Sequence, residues 1–452
     1  MVDTGKLMIS RLETERPCTT LCKREVPSSR FGDKSGEGIR VALLSLHSSP
    51  LASIGIANAG GMNVYVRRLA DDLTEMGLRV DIFTRRTDRT TPEIVETDVG
   101  ARVIHLAVGP PRHLPKSVLP LHIPAMVSAF RSFMQHESLD YDILHSHYWL
   151  SGLVALRLRS ETTAPIVHMF HTLSGVKELY SGQTDPGDTA LRFDGERCVM
   201  TAADAIVGAT TAEREQMDQL YGRSPARFSV IPPGVDTALF RRHDTDQSRR
   251  LLNLDGNRII LFVGRPDPMK GLDLLLRALA EMAPTTPGIK LVVVGGQKDA
   301  ARGHAARSRR MAERLGVADR VEFRGLAPQH ELPLYYSAAD LCAVPSSYES
   351  FGMVAVESMA CQTPVVAFPV GGLATTVSDG QTGFLAGGRT TSDFGAALRR
   401  GLQYAERESM GRRARLSIQR YNWQSVARTT ADLYAEVLRE QRCWCQRLSG
   451  VG

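Results

Sequence analysis

Residues 39–73 read IRVALLSLHSSPLASIGIANAGGMNVYVRRLADDL: an apolar run, a loop of small residues, the pair Gly60-Gly61, and then a helical pattern. Met62, Val66, Leu69, Leu73 and Met76 recur at alternating spacings of four and three, which predicts a helix beginning just after the glycines. An apolar run feeding a helix is one half of a βα unit, and the pattern recurs. LRVDIFTR, ARVIHLAV, YDILHSHYW, PIVHMFHT, DAIVGAT and RFSVIPPGV follow, and the series restarts with RIILFVGR, IKLVVVGG, RVEFRG, DLCAVPS, PVVAFPV and TGFLAG. Such alternation predicts parallel strands covered on both faces. The expected fold class is α/β: two Rossmann-like, doubly wound domains facing an interdomain cleft, joined near Pro232-Pro233-Gly234.

The expected divisions are a disordered leader over 1–38, a first domain over 39–235, a second over 236–421 and a C-terminal helix over 422–445. Val426, Leu433, Val437 and Leu438 lie roughly on one face of that helix, which should pack back on the first domain. In open parallel sheets ligands collect beyond the carboxyl ends of the strands, so the chemistry is sought in the loops that follow them.

The chain has 452 residues, 43% of them apolar, and a net charge of +6. That length exceeds what one core usually supports. The basic residues are scattered, which favours small anionic ligands over nucleic acid. Seven cysteines are sparse, and neither Cys18 with Cys22 nor Cys443 with Cys445 has a second pair at zinc-site spacing. A reducing, cytoplasmic location is expected. No signal-peptide core and no apolar run long enough to span a bilayer is present, and a protein without stable membrane association is expected. The segment HIPAMVSAFRSFMQHE, residues 122–137, is apolar on one side but holds a single arginine, too little for an anionic surface.

Several constellations carry chemistry. Glycines at a helix N-terminus let an anion approach free N–H groups, although the same pair would also serve as a plain flexible turn. In FVGRPDPMKG, Arg265 and Lys270 follow a strand, where two cations can neutralise a diphosphate leaving group; ordinary surface solvation is the alternative. In PSSYESFGMVAVESMACQTPVV, Glu349 precedes a helix expected to start near Phe351, and Glu357 lies eight residues further on. Carboxylates so placed can accept hydrogen bonds from sugar and ribose hydroxyls; a helix cap and a solvated face are the alternative roles. Histidines crowd two strand ends at His145, His147, His168 and His171, without a complete metal-ligand pattern. His171 is best placed to reach a cleft. The D-x-D at Asp140 and Asp142 opens a buried strand and is discounted as a metal–nucleotide motif.

With these pieces in order, the chain resembles the retaining family-4 glycosyltransferases of the two-Rossmann GT-B type, from about Arg40 to Gln441. SLHSSPL, AGGMNVYV, VDIFTRR, YDILHSHYWLSG and FHTLSGVK resemble the branch of mycothiol biosynthesis that moves N-acetylglucosamine from UDP-GlcNAc to 1D-myo-inositol 3-phosphate. The resemblance implies that the second domain holds the nucleotide sugar, with Arg265 and Lys270 on the diphosphate, Glu349 on the sugar and Glu357 on the ribose. It places Gly61 and Asn63 where donor phosphate and acceptor meet, and His171 beside the transferred sugar. Lys116, Tyr148, Thr172 and Arg192 match the acceptor's phosphate-binding set, and His47 a further acceptor contact.

The implied mechanism is a front-face, configuration-retaining transfer in which the leaving diphosphate oxygen helps deprotonate the acceptor. His171, Glu349, Arg265 and Lys270 are then the catalytic set, no metal is required for catalysis, and a structural Mg2+ and a homodimer are both compatible with the family. Asn58 stands where relatives usually carry Asp, and 178–197 also drifts. The alternative is therefore a natural-product glycosyltransferase, as in antibiotic (lincosamide) pathways, using another nucleotide sugar and a small polar hydroxyl or thiol acceptor. The absence of G-x-G-x-x-G, G-x-S-x-G and G-x-x-x-x-G-K-[ST] argues against dehydrogenase, hydrolase and phosphate-loop readings.

Overall fold

The computed structural model of the chain describes residues 38–52, 61–181, 186–256, 258–296 and 303–449. Most of the expected leader, the loop residues Asn58 and Gly60, and the pair Cys18 and Cys22 lie outside the described residues. Two compact units emerge. The first holds the described residues up to Ile231 and again from Val426; the second runs from Pro232 to Ser425.

The first unit carries an eight-stranded sheet built from β1 (Arg40–Leu44), β2 (Arg79–Arg85), β3 (Ile94–Glu96), β4 (Arg102–Leu106), β5 (Ile143–His147), β6 (Ile166–Met169), β7 (Ala205–Gly208) and β8 (Arg227–Val230). Its order is β3-β4-β2-β1-β5-β6-β7-β8, and every pairing is parallel except β3 with β4. The second unit carries a six-stranded, all-parallel sheet of β9 (Arg258–Val263), β10 (Ile289–Val294), β11 (Val321–Gly325), β12 (Leu341–Val344), β13 (Val365–Ala367) and β14 (Gly383–Leu385). The order there is β11-β10-β9-β12-β13-β14. Each apolar run of the sequence forms a strand; the inner strands of a parallel sheet are covered on both faces, whereas the edge strands β8 and β11 stay half-exposed. Val41 to Leu44, Ile259 to Phe262 and Leu291 to Val294 are all nearly inaccessible. The strand that apolar runs did not announce is β3, a short edge strand whose residues are half-exposed or exposed.

The order of each sheet fixes where a ligand can enter. Chain direction reverses across the sheet between β1 and β5 in the first unit and between β9 and β12 in the second, leaving a crevice beyond the carboxyl ends of those neighbours. The helix Gly61–Glu75, reached from β1, buries Asn63, Tyr65, Val66, Leu69, Ala70 and Leu73. Met76, counted above in the apolar face, is 46% exposed, because Gly77 at φ +92° ends the helix and the N–H of Leu78 turns back to the carbonyl of Leu73.

The C-terminal helix spans Trp423–Ser449. From Val426 onward it belongs to the first unit, where Val426, Ala427, Leu433, Tyr434 and Val437 are buried while Leu438 is only half-buried. Arg227 pairs with Glu436 at 2.7 Å and also with Glu440. The helix Ile123–Glu137 turns Ile123, Met126, Val127, Phe130 and Phe133 into the core, so its apolar side is occupied. Among the described residues no helix is long and apolar enough to cross a membrane.

Candidate functional site

In the first unit the loops after β1, β4, β5 and β6 and the helix Pro186–Ala202 bring aromatic and basic side chains together. Tyr148 leaves β5 with φ +71°, a conformation that costs energy for a non-glycine residue and turns its ring over the strand ends. His47, from the loop after β1, stacks on it with centroids 4.1 Å apart. The Lys116 ammonium lies 5.2 Å, and the Arg192 guanidinium 5.0 Å, from the centre of the same ring. Arg192 donates to the carbonyl and hydroxyl oxygens of Thr172, at 2.8 and 3.1 Å, and pairs with Glu196 at 2.7 Å.

Glu196 is fully buried and accepts from the backbone and hydroxyl of Ser174 and from Tyr221. It braces Arg192 through a carboxylate whose lone pairs are already taken. The sequence reading missed it, although its place one helical turn after Arg192 is the available signal. Desolvation, together with the charges of Lys116 and Arg192, holds His47 well below the usual histidine range and therefore neutral.

Asn63 points inward from the first turn of its helix. It exchanges hydrogen bonds with Ser48, its amide nitrogen donating at 2.8 Å and its carbonyl oxygen accepting at 3.1 Å, and it also donates to the carbonyl of Ser49. The loop after β1 is thereby tied to the helix that Gly61 opens, with Gly61 itself exposed.

His171 sits at φ +59° just beyond β6. Its Nε2 lies 3.0 Å from Nδ1 of His147, and the Tyr65 ring meets both imidazoles edge-on at 5.3 and 5.8 Å. His145 stacks 4.3 Å behind His147, and its Nδ1 is 2.7 Å from the hydroxyl of Tyr434 on the C-terminal helix. Burial pushes His171 and His145 down to about 3, and His147 and His168 well below their ordinary value, so these rings are neutral near pH 7. Among the described residues no group of three potential ligands is arranged to hold a metal ion. Asp142 uses its carboxylate to accept from the backbone N–H of Arg40 at 2.8 Å, the structural role the buried-strand reading gave it.

In the second unit the loops after β9 and β12 meet. Gly271, at φ +73°, lies so close to the carbonyl of Pro345 that a Cβ would come within 2.0 Å of that oxygen. This contact, and the hydrogen bond from Ser347 N–H to the carbonyl of Met269 at 2.9 Å, carries Lys270 onto Glu349. The two form a salt bridge, and Ser346 donates to the same carboxylate oxygen at 3.1 Å. Arg265 is exposed and forms no ion pair with a described residue.

The backbone of Glu349 is clasped by Gly371-Gly372. The N–H of Gly372 donates to its carbonyl at 2.9 Å, and a Cβ on Gly371 would meet that oxygen at 1.9 Å. The following helix starts at Met353, with Gly352 as its N-cap and no side-chain cap, so Glu349 is not spent on capping. Glu357 is not on a solvated face either. It is 9% exposed, accepts from the Tyr336 hydroxyl at 2.8 Å, and is pushed up to about 7 by burial. Lys270 and Glu349 are thus brought together, while Glu357 is held separately with Tyr336, a partner that the sequence did not reveal.

Two family descriptions cover most of the chain: "Glycosyl transferase 4-like domain" over residues 60–234 and "Glycosyl transferases group 1" over 244–417. A D-inositol 3-phosphate glycosyltransferase of Acidothermus cellulolyticus is 41% identical over 89% of this chain and 91% of its own length. The protein of the same description from Thermomonospora curvata is 42% identical over 80% of this chain and 86% of its own. Among solved structures, the sucrose-phosphate synthase of Thermosynechococcus elongatus superposes with a TM-score of 0.80 at 34% identity, over 89% of this chain and all of that one. Two doubly wound units with their polar side chains gathered at the sheet switch points, matched along nearly their whole length, leave one assignment: the chain belongs to the family of D-inositol 3-phosphate glycosyltransferases, nucleotide-sugar-dependent enzymes of the GT-B fold.

Proposed function

We propose that this chain transfers N-acetylglucosamine from UDP-GlcNAc to 1D-myo-inositol 3-phosphate with retention of configuration, a step of mycothiol biosynthesis. The observation that carries the reading is the pair of cations flanking the Tyr148 ring, with the hydroxyl of Thr172 on Arg192. A guanidinium and an ammonium around an aromatic platform suit a phosphate monoester, which takes charge-assisted hydrogen bonds from both. His47 on the same ring, and Asn63 beside the loop that carries it, are the proposed contacts for the inositol hydroxyls.

In the second unit Arg265 and Lys270 are proposed to take the diphosphate, Glu349 the sugar hydroxyls and Glu357 the ribose diol, with Gly61 supplying backbone approach to the donor phosphate. Charge grows on the leaving diphosphate as the glycosidic bond breaks, and fixed cations stabilise that charge more in the transition state than in the ground state. The leaving oxygen then takes the acceptor proton, and His171, neutral and half-buried, orients the sugar. Transfer is proposed to need no catalytic metal, and any bound Mg2+ to be structural; chelation should leave the rate unchanged.

The deciding experiment incubates purified full-length protein with UDP-GlcNAc and inositol 3-phosphate, following UDP release and a phosphorylated disaccharide by mass spectrometry. Turnover with another sugar nucleotide or an uncharged acceptor, and none with this pair, would replace the proposal.

A further inference from the structure

Three buried histidines of the first unit share one pattern. Nδ1 of His145 lies 2.7 Å from the Tyr434 hydroxyl, Nδ1 of His168 2.7 Å from the Ser146 hydroxyl, and Nδ1 of His147 3.0 Å from Nε2 of His171. In all three rings Nε2 is buried and has no hydrogen-bond partner among the described residues. A buried N–H with no acceptor is rarer than an under-used lone pair, because its desolvation goes uncompensated. The proton therefore sits on Nδ1 and Nε2 is bare. A neutral imidazole has one donor and one acceptor nitrogen, so His147 donates from Nδ1 to Nε2 of His171. His171 must then carry its own proton on Nδ1. Since burial keeps both rings neutral, one proton occupies the contact between them.

We infer that His147 is a positioning residue that holds His171 in the Nδ1–H tautomer, so that His171 meets the transferred sugar with a hydrogen-bond donor and not with a base. The clamp has three sides: His147 on Nε2, its ring tilted by 39°, Tyr65 edge-on, and the left-handed backbone at residue 171 that sets the ring's exit. His147 is itself backed by His145, which Tyr434 fixes from the C-terminal helix. A donor at this point binds a sugar hydroxyl or carbonyl oxygen and cannot take the acceptor proton, which leaves deprotonation to the diphosphate oxygen. The inference rests on the proposed placement of His171 beside the sugar.

The test uses the full-length protein with 15N-labelled histidine. Two-bond 1H–15N correlation spectra, with His171 assigned through a His171→Gln variant, should show a protonated Nδ1 and a bare Nε2 at His171. A protonated Nε2 there overturns the inference whatever the variants do. His147→Asn keeps an amide donor near the Nδ1 position and should preserve both tautomer and turnover. His147→Leu removes it, so His171 should become a tautomer mixture and kcat should fall by about ten- to a hundredfold with little change in KM for the donor. An unchanged tautomer and unchanged kcat in His147→Leu also overturn it. If the tautomer is as inferred yet His171→Gln turns over normally, the placement of His171 fails instead, and the two failures are distinguishable. Should His147→Leu not fold, the wild-type spectrum and the Asn variant still decide.

Discussion

In the first unit Lys116 and Arg192 flank a neutral aromatic ring, and Arg192 is braced from behind by the buried Glu196; in the second, Lys270 closes directly onto Glu349, the carboxylate proposed for the sugar. The difference lies in what a ligand must displace. A phosphate arriving at Tyr148 meets a guanidinium already held by the buried Glu196 and by Thr172, in place before the ligand comes. A diphosphate arriving at Lys270 must take the ammonium from Glu349, and that exchange frees the carboxylate to accept from sugar hydroxyls. The proposed donor site therefore starts from an ion pair that the ligand must open, and the proposed acceptor site from a guanidinium braced by a buried carboxylate.

Lys270→Ala breaks the contrast most strongly. It removes the cation proposed to meet the charge that develops on the leaving group and leaves the Glu349 carboxyl without its salt-bridge partner. Loss of a single preorganised electrostatic contact of this kind typically costs about a hundred- to a thousandfold in turnover, and the unpaired Glu349 should put this variant at the upper end. Steady-state UDP release at saturating inositol phosphate measures it. If kcat/KM for the donor falls less than about tenfold, the exchange of partners is not part of the mechanism.

Lys116→Glu tests the other half. A charge-assisted hydrogen bond is worth about 1.5–3 kcal/mol, so KM for inositol 3-phosphate should rise about ten- to a hundredfold, more if the new carboxylate repels the phosphate. The affinity for UDP alone, read by calorimetry, should not move. An equal loss of both would mean that the two frames are energetically coupled and that the contrast drawn above is too sharp.

The inner strands were legible in the sequence because a parallel strand covered on both faces is apolar along most of its length; β3 is a three-residue, half-exposed edge strand, too short to leave an apolar run. The loops that carry Lys270 and Glu349 could be found because they follow apolar runs. Which side chain answers which could not, since the pairing depends on Gly271 lying against Pro345 and Gly371-Gly372 against Glu349, contacts made between residues far apart in the chain. Tyr336 and Tyr434 were missed for a related reason. An isolated tyrosine in a helical segment reads as core, and only the fold shows that its hydroxyl ends on Glu357 or on His145. Glu213 was legible in principle: Thr210-Thr211-Ala212-Glu213 has the capping-box spacing, and Thr210 does accept from the N–H of Glu213.

Glu213 and Glu357 provide the finest comparison, one buried carboxyl in each unit with the same electrostatic history and different surroundings. Burial pushes each from 4.5 up to about 7, opposed by one hydrogen bond, from the N–H of Ala209 at 2.7 Å in the first case and from the Tyr336 hydroxyl in the second. The sign follows from proton linkage. Between the unfolded value and the raised folded value the native state binds more protons than the unfolded one, so the stability these two groups contribute is full below about pH 4.5 and is lost as pH rises through 7. Each group contributes about 1–3 kcal/mol to that decline. Glu213→Gln keeps an oxygen for the Ala209 N–H but cannot ionise, so its unfolding free energy should fall less steeply over that window and exceed the wild type's at pH 8, with UDP affinity untouched. Glu357→Gln should flatten the stability profile in the same way but weaken UDP binding, most clearly above pH 7 where the wild-type carboxylate is ionised and can accept both ribose hydroxyls. Denaturant titrations at several pH values, with UDP calorimetry alongside, separate the two. If both variants change stability alone, Glu357 is a core carboxyl like Glu213, and the ribose must be held elsewhere.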